Sequence, residues 1–298
     1  MASTRHRILV PTDFSEASDR ALELARRIAA PLAAEIHFLH VRVLLEEPHV
    51  VEEGQRELER LLARADQHAR DALGRKTAPV AGEVIHTHLV RGLSAPESIV
   101  QTALDLGCDL IVMGTHGRRG LKHLFLGSVA ERIVRTAPMP VLTVRPNATF
   151  RELQGARILL PYDFSERSAA AEAAAADWAR ALEGRVTLLH VVEPIVYPEF
   201  YAVDILPEDM LDKICDRTKK SLEDVAARTF KDLPVSVEVA VGKASETIAE
   251  AASPESYDLV IMPTRGLSPI EHLLLGSVAA YVVRHATVPV LTLREAAN

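Results

Sequence analysis

The stretch RILVPTDFSE, Arg7 to Glu16, returns further down the chain as RILLPYDFSE, Arg157 to Glu166. The offset is about 150 residues, the length of one ordinary domain. Other landmarks keep step. His40-Val41 returns as His190-Val191, and Arg91-Gly92 as Val241-Gly242. CDLIVMGTHG (Cys108 to Gly117) faces YDLVIMPTRG (Tyr257 to Gly266), and LGSVAERIV (Leu126 to Val134) faces LGSVAAYVV (Leu275 to Val283). APMPVLTVR (Ala137 to Arg145) faces TVPVLTLR (Thr287 to Arg294), with one residue missing from the second copy before the Cys108 landmark. The chain reads as one domain written twice, 1–147 and 155–298. The seam is PNATFRELQG, Pro146 to Gly155, which carries turn formers and no apolar periodicity.

Within a copy, short apolar runs alternate with longer amphipathic stretches. RILVP, EIHFLHV, EVIHTHLV, DLIVMG and PVLTVR are the strand candidates of the first copy. Three of them lack strict alternation, as parallel strands covered on both faces should. Helices are expected over 15–30, 51–73, 94–106 and 128–136, with Ser15, Ser94 and Ser128 as N-caps. Strand and helix in alternation imply right-handed βαβ units around a five-stranded parallel sheet, an α/β fold. In such a sheet ligands bind beyond the carboxyl ends of the strands, where the strand order reverses.

Composition removes several classes of function. The 298 residues hold 34 Lys+Arg against 41 Asp+Glu, a net charge of −7, with no basic block, so a nucleic-acid partner is not expected. Cys108 and Cys215 are the only cysteines and stand far apart, which fits a reducing cytoplasm and gives no metal knuckle. No stretch stays apolar for eighteen residues, and the first apolar run is too short for a signal-peptide core or membrane span.

The search for function therefore narrows to a few turns. The first strand ends in Pro11-Thr12-Asp13, where Asp13 is either an acceptor aimed into the crevice or a cap for the next helix. The second ends at Val41, whose backbone could meet a base edge. The fourth runs into GTHGRRGLKHLFLGS, with Gly114, Gly117 and Gly127-Ser128 before a helix. Glycines permit positive φ and close backbone approach, and a helix start offers free amides, so the spacing suits a polyphosphate. Arg118, Arg119, Lys122 and His123 would add countercharge. The plainer alternative is a glycine-bearing surface loop with a solvated basic run. No Lys follows Gly127, and no GxGxxG follows the first strand, so neither a P-loop nor a hydride-transfer site is expected.

The spacing Gly114-x2-Gly117-x9-Gly127-Ser128, with PTDFS at the start and HV after the second strand, resembles the universal stress protein family. The resemblance covers the first copy and, in tandem form, nearly the whole chain. It implies two Rossmann-like (HUP-type) domains, each with strand order 3-2-1-4-5, forming an intrachain pseudo-dimer, with a further homodimer left open. Family members with the full glycine motif bind ATP, with or without Mg²⁺. Carried onto this sequence, Asp13 and Val41 would face adenine, and Pro11 and Thr12 would wall the pocket. Met113 and Gly114 would lie near ribose, and His116, Gly117, Gly127, Ser128 and Val129 would hold the triphosphate. The family implies a cytoplasmic, nucleotide-dependent stress-response regulator. No catalytic residue is assigned, and slow ATP hydrolysis or a nucleotide-dependent transfer in the same crevice is the alternative.

The second copy departs from the pattern. Pro263 stands for the first glycine, and LSPIEHLLL, which holds Ser268, keeps only His272 of the basic loop while adding Glu271. Proline removes an N–H, and a carboxylate repels phosphate, so a weaker second site is expected. Tyr197, Phe200 and Tyr201 cluster in an aromatic loop, read either as packing or as the mouth of an apolar-ligand carrier. His86 and His88 alternate as HxH without a third metal ligand in evident spacing. Trp178 is expected in the core of the second copy's first helix.

Overall fold

The computed structural model describes residues 6–43, 52–78, 80, 82–117, 126–148, 150–193, 208–265 and 275–294. The chain divides into two compact units, Met1–Pro146 and Asn147–Asn298. The segment read as the seam belongs with the second unit: Phe150 and Leu153 are buried, and the Gly155 N–H donates to the Leu182 carbonyl at 2.7 Å.

In the first unit the elements run β1 (His6–Pro11), α1 (Glu16–Ala29), β2 (Ala34–Val43), α2 (Glu52–Lys76) and β3 (Ile85–Gly92), then α3 (Ala95–Asp105), β4 (Leu110–Gly114), α4 (Ser128–Thr136) and β5 (Val141–Val144). The strands are parallel in the order β3-β2-β1-β4-β5. The second unit repeats the plan with β6 (Arg157–Pro161), α5 (Glu166–Ala181), β7 (Arg185–Val192), α6 (Glu208–Thr229) and β8 (Val235–Val241), followed by α7 (Ala244–Ala251), β9 (Leu259–Pro263), α8 (Ser277–His285) and β10 (Val290–Leu293). Its order is β8-β7-β6-β9-β10. Both units are thus five-stranded parallel α/β sheets whose order reverses beside their first strand.

The sequence explains why. Ile8, Leu9 and Val10 are all buried, so both faces of β1 are covered and no alternation is needed. On α1 the buried stripe Ala17, Ala21, Leu24, Ala25, Ile28 follows the helical period, and Ser15 caps the start by accepting from the Ser18 N–H. On α5 the buried stripe is mostly alanine: Ala171, Ala175, Ala176 and Ala179. Trp178 lies at its flank and is only half-buried, not the core residue expected, because the buried stripe of α5 is taken up by these alanines and position 178 falls beside it.

Each unit is laced at the N-terminal end of its central strands. Arg7 N–H donates to Asp109 at 2.8 Å, and Arg157 N–H to Asp258 at 2.9 Å. The Arg157 guanidinium adds two bonds of 2.9 Å to the same buried carboxylate, whereas that of Arg7 turns to Glu35 and the Leu106 carbonyl. Burial pushes Asp258 up, but the Arg157 bonds outweigh it and hold the carboxyl below its ordinary range. Removing one partner leaves a buried charge. Arg157→Ala is therefore expected to cost about 3–5 kcal/mol, against about 1 kcal/mol or less for the more exposed Arg7→Ala. Urea denaturation of the full chain checks the ranking.

Candidate functional site

The site grows from the turn after β1. Thr12 N–H donates to the Leu39 carbonyl at 2.7 Å, continuing the β1–β2 ladder by one bond. The Thr12 carbonyl is held in turn by His40 Nδ1 at 2.7 Å. A carbonyl only accepts, so His40 carries its proton on Nδ1. Phe14 then takes the left-handed conformation, φ 63°, uncommon for a residue with a bulky side chain. Its N–H donates to Thr12 Oγ1 at 2.9 Å, its ring lies over His40 with centroids 4.5 Å apart, and Ser15 N–H donates to Asp13 Oδ1 at 3.0 Å. Four consecutive residues are thereby fixed, with Asp13 at the point where the strand order reverses.

The glycines of the fourth strand's turn act through space. None of Gly114, Gly117 and Gly127 has positive φ, contrary to one half of the expectation. A Cβ on Gly114 would come within 2.7 Å of the Ala17 backbone, one on Gly117 within 2.7 Å of Asp13 Oδ2, and one on Gly127 within 3.0 Å of the Thr115 carbonyl oxygen. Close approach of α1, Asp13 and the β4 turn is what these positions require. Ser128 is not the N-cap either. Gly127, extended at φ −61° and ψ 140°, takes that place, and its own N–H is spent on the Thr115 carbonyl at 2.8 Å. Intrahelical bonding begins with Glu131 N–H to the Gly127 carbonyl at 2.9 Å. The amides of Ser128, Val129 and Ala130 thus form the first turn, which has no carbonyl within the helix to bond.

Between these two turns lies a cavity of about 650 Å³, within the range of small-molecule sites. It is lined by all eleven positions carried over from the motif, Pro11, Thr12, Asp13, Val41, Met113, Gly114, His116, Gly117, Gly127, Ser128 and Val129. Leu39, Val43, Ala95, Ile99 and Leu126 complete it with an apolar wall. Ala95 and Ile99 come from the start of α3, a helix that bears no motif, so only the tertiary packing reveals them. Residues 118–123, which carry the basic run, lie outside the described residues.

A sequence model of the Universal stress protein family matches residues 4–145 and again 156–294. The chain belongs to the universal stress protein family. A universal stress protein of Methanocaldococcus jannaschii is 39% identical over 140 residues, covering 47% of this chain and 81% of its own. One of Mycolicibacterium smegmatis is 27% identical over 300 residues, covering 98% of each chain, and so shares the doubled length. Among solved structures, a universal stress protein from Archaeoglobus fulgidus matches with a TM-score of 0.65 at 20% identity, covering 98% of this chain and 97% of that one. The fold, order and duplication are those of a two-domain universal stress protein. Among the described residues no helix is long and apolar enough to cross a membrane.

In the second universal stress protein domain the frame persists around Pro263. Gly276 N–H still donates to Thr264 at 2.7 Å, Ser165 N–H to Asp163 Oδ1 at 3.0 Å, and His190 Nδ1 to the Tyr162 carbonyl at 2.7 Å. Gly266, Ser268, Glu271, His272 and the aromatic segment at Tyr197, Phe200 and Tyr201 lie outside the described residues. Cys108 is buried, which together with the Asp109 charge pushes its thiol up to about 11, so it is no ready nucleophile at neutral pH. Cys215 is half-buried.

The HxH pair of β3 joins a histidine stack at the opposite end of the strands from the cavity. His37 lies 5.1 Å from His86 and 5.2 Å from His88, ring centre to ring centre. His37 Nδ1 is 3.0 Å from His88 Nε2, and its Nε2 is 3.2 Å from Glu35. Among the described residues no group of three or more His, Cys, Asp or Glu is arranged to hold a metal ion. Burial lowers both His37 and His88 below 6.5, for His37 against the opposing bond from Glu35. The folded state then disfavours their protonation, and as pH falls below about 6.5 the unfolded chain takes up protons first. Stability is full above that pH and declines below it. The midpoint of thermal unfolding is expected to fall between pH 7.5 and 5.5, and to fall less in His88→Gln. An equal decline in both proteins would remove the stack as its source.

Proposed function

We propose that the first domain binds ATP in this cavity and that the protein acts as a nucleotide-responsive stress regulator. The observation that carries the reading is the convergence, in one largely apolar cavity, of the Asp13 carboxylate at the end of β1 and the first-turn amides of α4. A carboxylate accepts from an exocyclic amine, an apolar wall suits a purine face, and a helix start favours an anion. In this reading Asp13 and Val41 address adenine between Pro11 and Thr12, while Met113 and Gly114 lie along the ribose. His116 and Gly117 stand on one side of the phosphates. The amides of Ser128 and Val129 face them from the other, with Gly127 supplying room instead of a donor. Mg²⁺, if it accompanies the nucleotide, would be held chiefly by the phosphates.

A ligand present at a hundredfold excess over its dissociation constant stabilises the folded chain by about 2.7 kcal/mol. Millimolar ATP is therefore expected to raise the unfolding midpoint of the wild-type protein, and denaturing the purified protein should release about one equivalent of nucleotide per chain, since only the first domain keeps the full motif. Asp13→Ala should weaken ATP binding about tenfold or more, the scale of a hydrogen bond to a charged group. Titration calorimetry decides: a folded wild-type chain with no heat and no thermal shift would end the proposal. Gly114→Val is a poor probe, because the added side chain would meet the α1 backbone and disturb the fold itself.

A further inference from the structure

The ladder between β1 and β2 stops one bond short, and a side chain stops it. Pro11 stands opposite Leu39, so Thr12 stands opposite His40. In a parallel pair a residue sends its N–H to the position before its opposite and takes, at its carbonyl, the N–H of the position after. The first bond is present, Thr12 N–H to the Leu39 carbonyl. The second would bring the Val41 N–H to the Thr12 carbonyl. That carbonyl takes His40 Nδ1–H instead, and the Phe14 ring, stacked on the imidazole, holds it there.

The direction of the Val41 main chain follows from alternation. Successive residues of an inner parallel strand face its two neighbours in turn. Ile36 N–H donates to the Val84 carbonyl on the β3 side, and the Leu39 carbonyl accepts from Thr12 on the β1 side. Val41, two residues beyond Leu39, therefore also faces the β1 side, where the chain has already turned away at Phe14. Among the described residues its N–H has no main-chain partner there. Val41 is half-buried and lines the cavity, so a group bound in the cavity is what can meet its N–H and carbonyl.

We infer that His40 is a positioning residue: its imidazole takes the place of the Val41 N–H at the Thr12 carbonyl and so leaves the Val41 main chain to a ligand. The inference deepens the proposed nucleotide reading and rests on it for the identity of the ligand. One N–H and one carbonyl on the same strand edge match the ring-nitrogen acceptor and the exocyclic-amine donor of adenine. The second domain repeats the arrangement, with Tyr162 N–H on the Leu189 carbonyl at 2.8 Å and His190 Nδ1 on the Tyr162 carbonyl. It thereby supplies a matched control.

His40→Leu removes the donor, His40→Asn returns one at the position of Nδ1, and His40→Gln places it where Nε2 lies. In the full chain without ligand, amide hydrogen exchange followed by NMR is expected to slow at Val41 in His40→Leu, because its N–H then closes on the Thr12 carbonyl. Calorimetric titration with ATP is expected to show affinity about tenfold lower in His40→Leu and His40→Gln, and within about threefold of wild type in His40→Asn. His190→Leu makes the same change in the other domain and is expected to leave the affinity within about twofold of wild type. The Asn and Gln pair carries the comparison if His40→Leu fails to fold. Unchanged exchange at Val41 in a folded His40→Leu would overturn the inference. So would equal losses of affinity in the Asn and Gln variants, or in His40→Leu and His190→Leu, which would assign His40 to folding alone. Slowed Val41 exchange in His40→Leu, with a wild-type chain that fails to bind ATP, would remove the ATP reading and leave the positioning role standing.

Discussion

The constraint on which the rest depends is the covering of each parallel sheet on both faces. Once Ile8, Leu9 and Val10 are buried from both sides, ligand chemistry can reach the sheet only at an end of its strands. The reversal between β1 and β4 then separates the helices that follow them and opens space at their carboxyl ends. Asp13 and the start of α4 face that space because each immediately follows one of those two strands. The proposed chemistry is thus a consequence of connectivity before it is a matter of side chains.

Much of this was legible in the sequence because parallel strands and their helices leave strong local marks. The runs RILVP and DLIVMG, and the alanine and leucine stripe of α1, placed those elements to within a residue or two. What escaped depended on contacts between distant segments. Gly114 reads equally well as a flexible turn or as a gap, and only the position of the Ala17 backbone shows that it is a gap. Gly127-Ser128 offers two candidates for one cap, and the bond from Gly127 to Thr115 decides between them. Ala95 and Ile99 carry no pattern, since an apolar cavity wall uses the same residues as any core. Phe14 and His40 stood in the quoted motifs, yet the left-handed backbone and the imidazole bond that shape the turn have no signature in composition.

The duplication serves as an internal control. Two copies of one plan share the Gly276 and Gly127 caps, the His190 and His40 braces and the tie from β4 or β9 back to the first strand. They differ where the second copy has invested in its own interior. Tyr162, Glu172 and Thr229 form a buried polar cluster in which every member has a partner, a stable arrangement in a medium of low dielectric. The two copies thus form different hydrogen bonds from one equivalent position, residue 12 in the first and 162 in the second.

The left-handed phenylalanine has a wider implication. Phe14 at φ 63° and Phe164 at φ 61° adopt the same unfavourable backbone state, although the surroundings of their neighbouring aspartates have drifted apart. Strain retained where the neighbouring hydrogen bonds have changed belongs to the junction of strand and helix, as a hinge belongs to a door whatever lock is fitted. An engineer wishing to give the second half of the molecule a new ligand would accordingly find the main chain already shaped for it, and would need to alter only what projects from it.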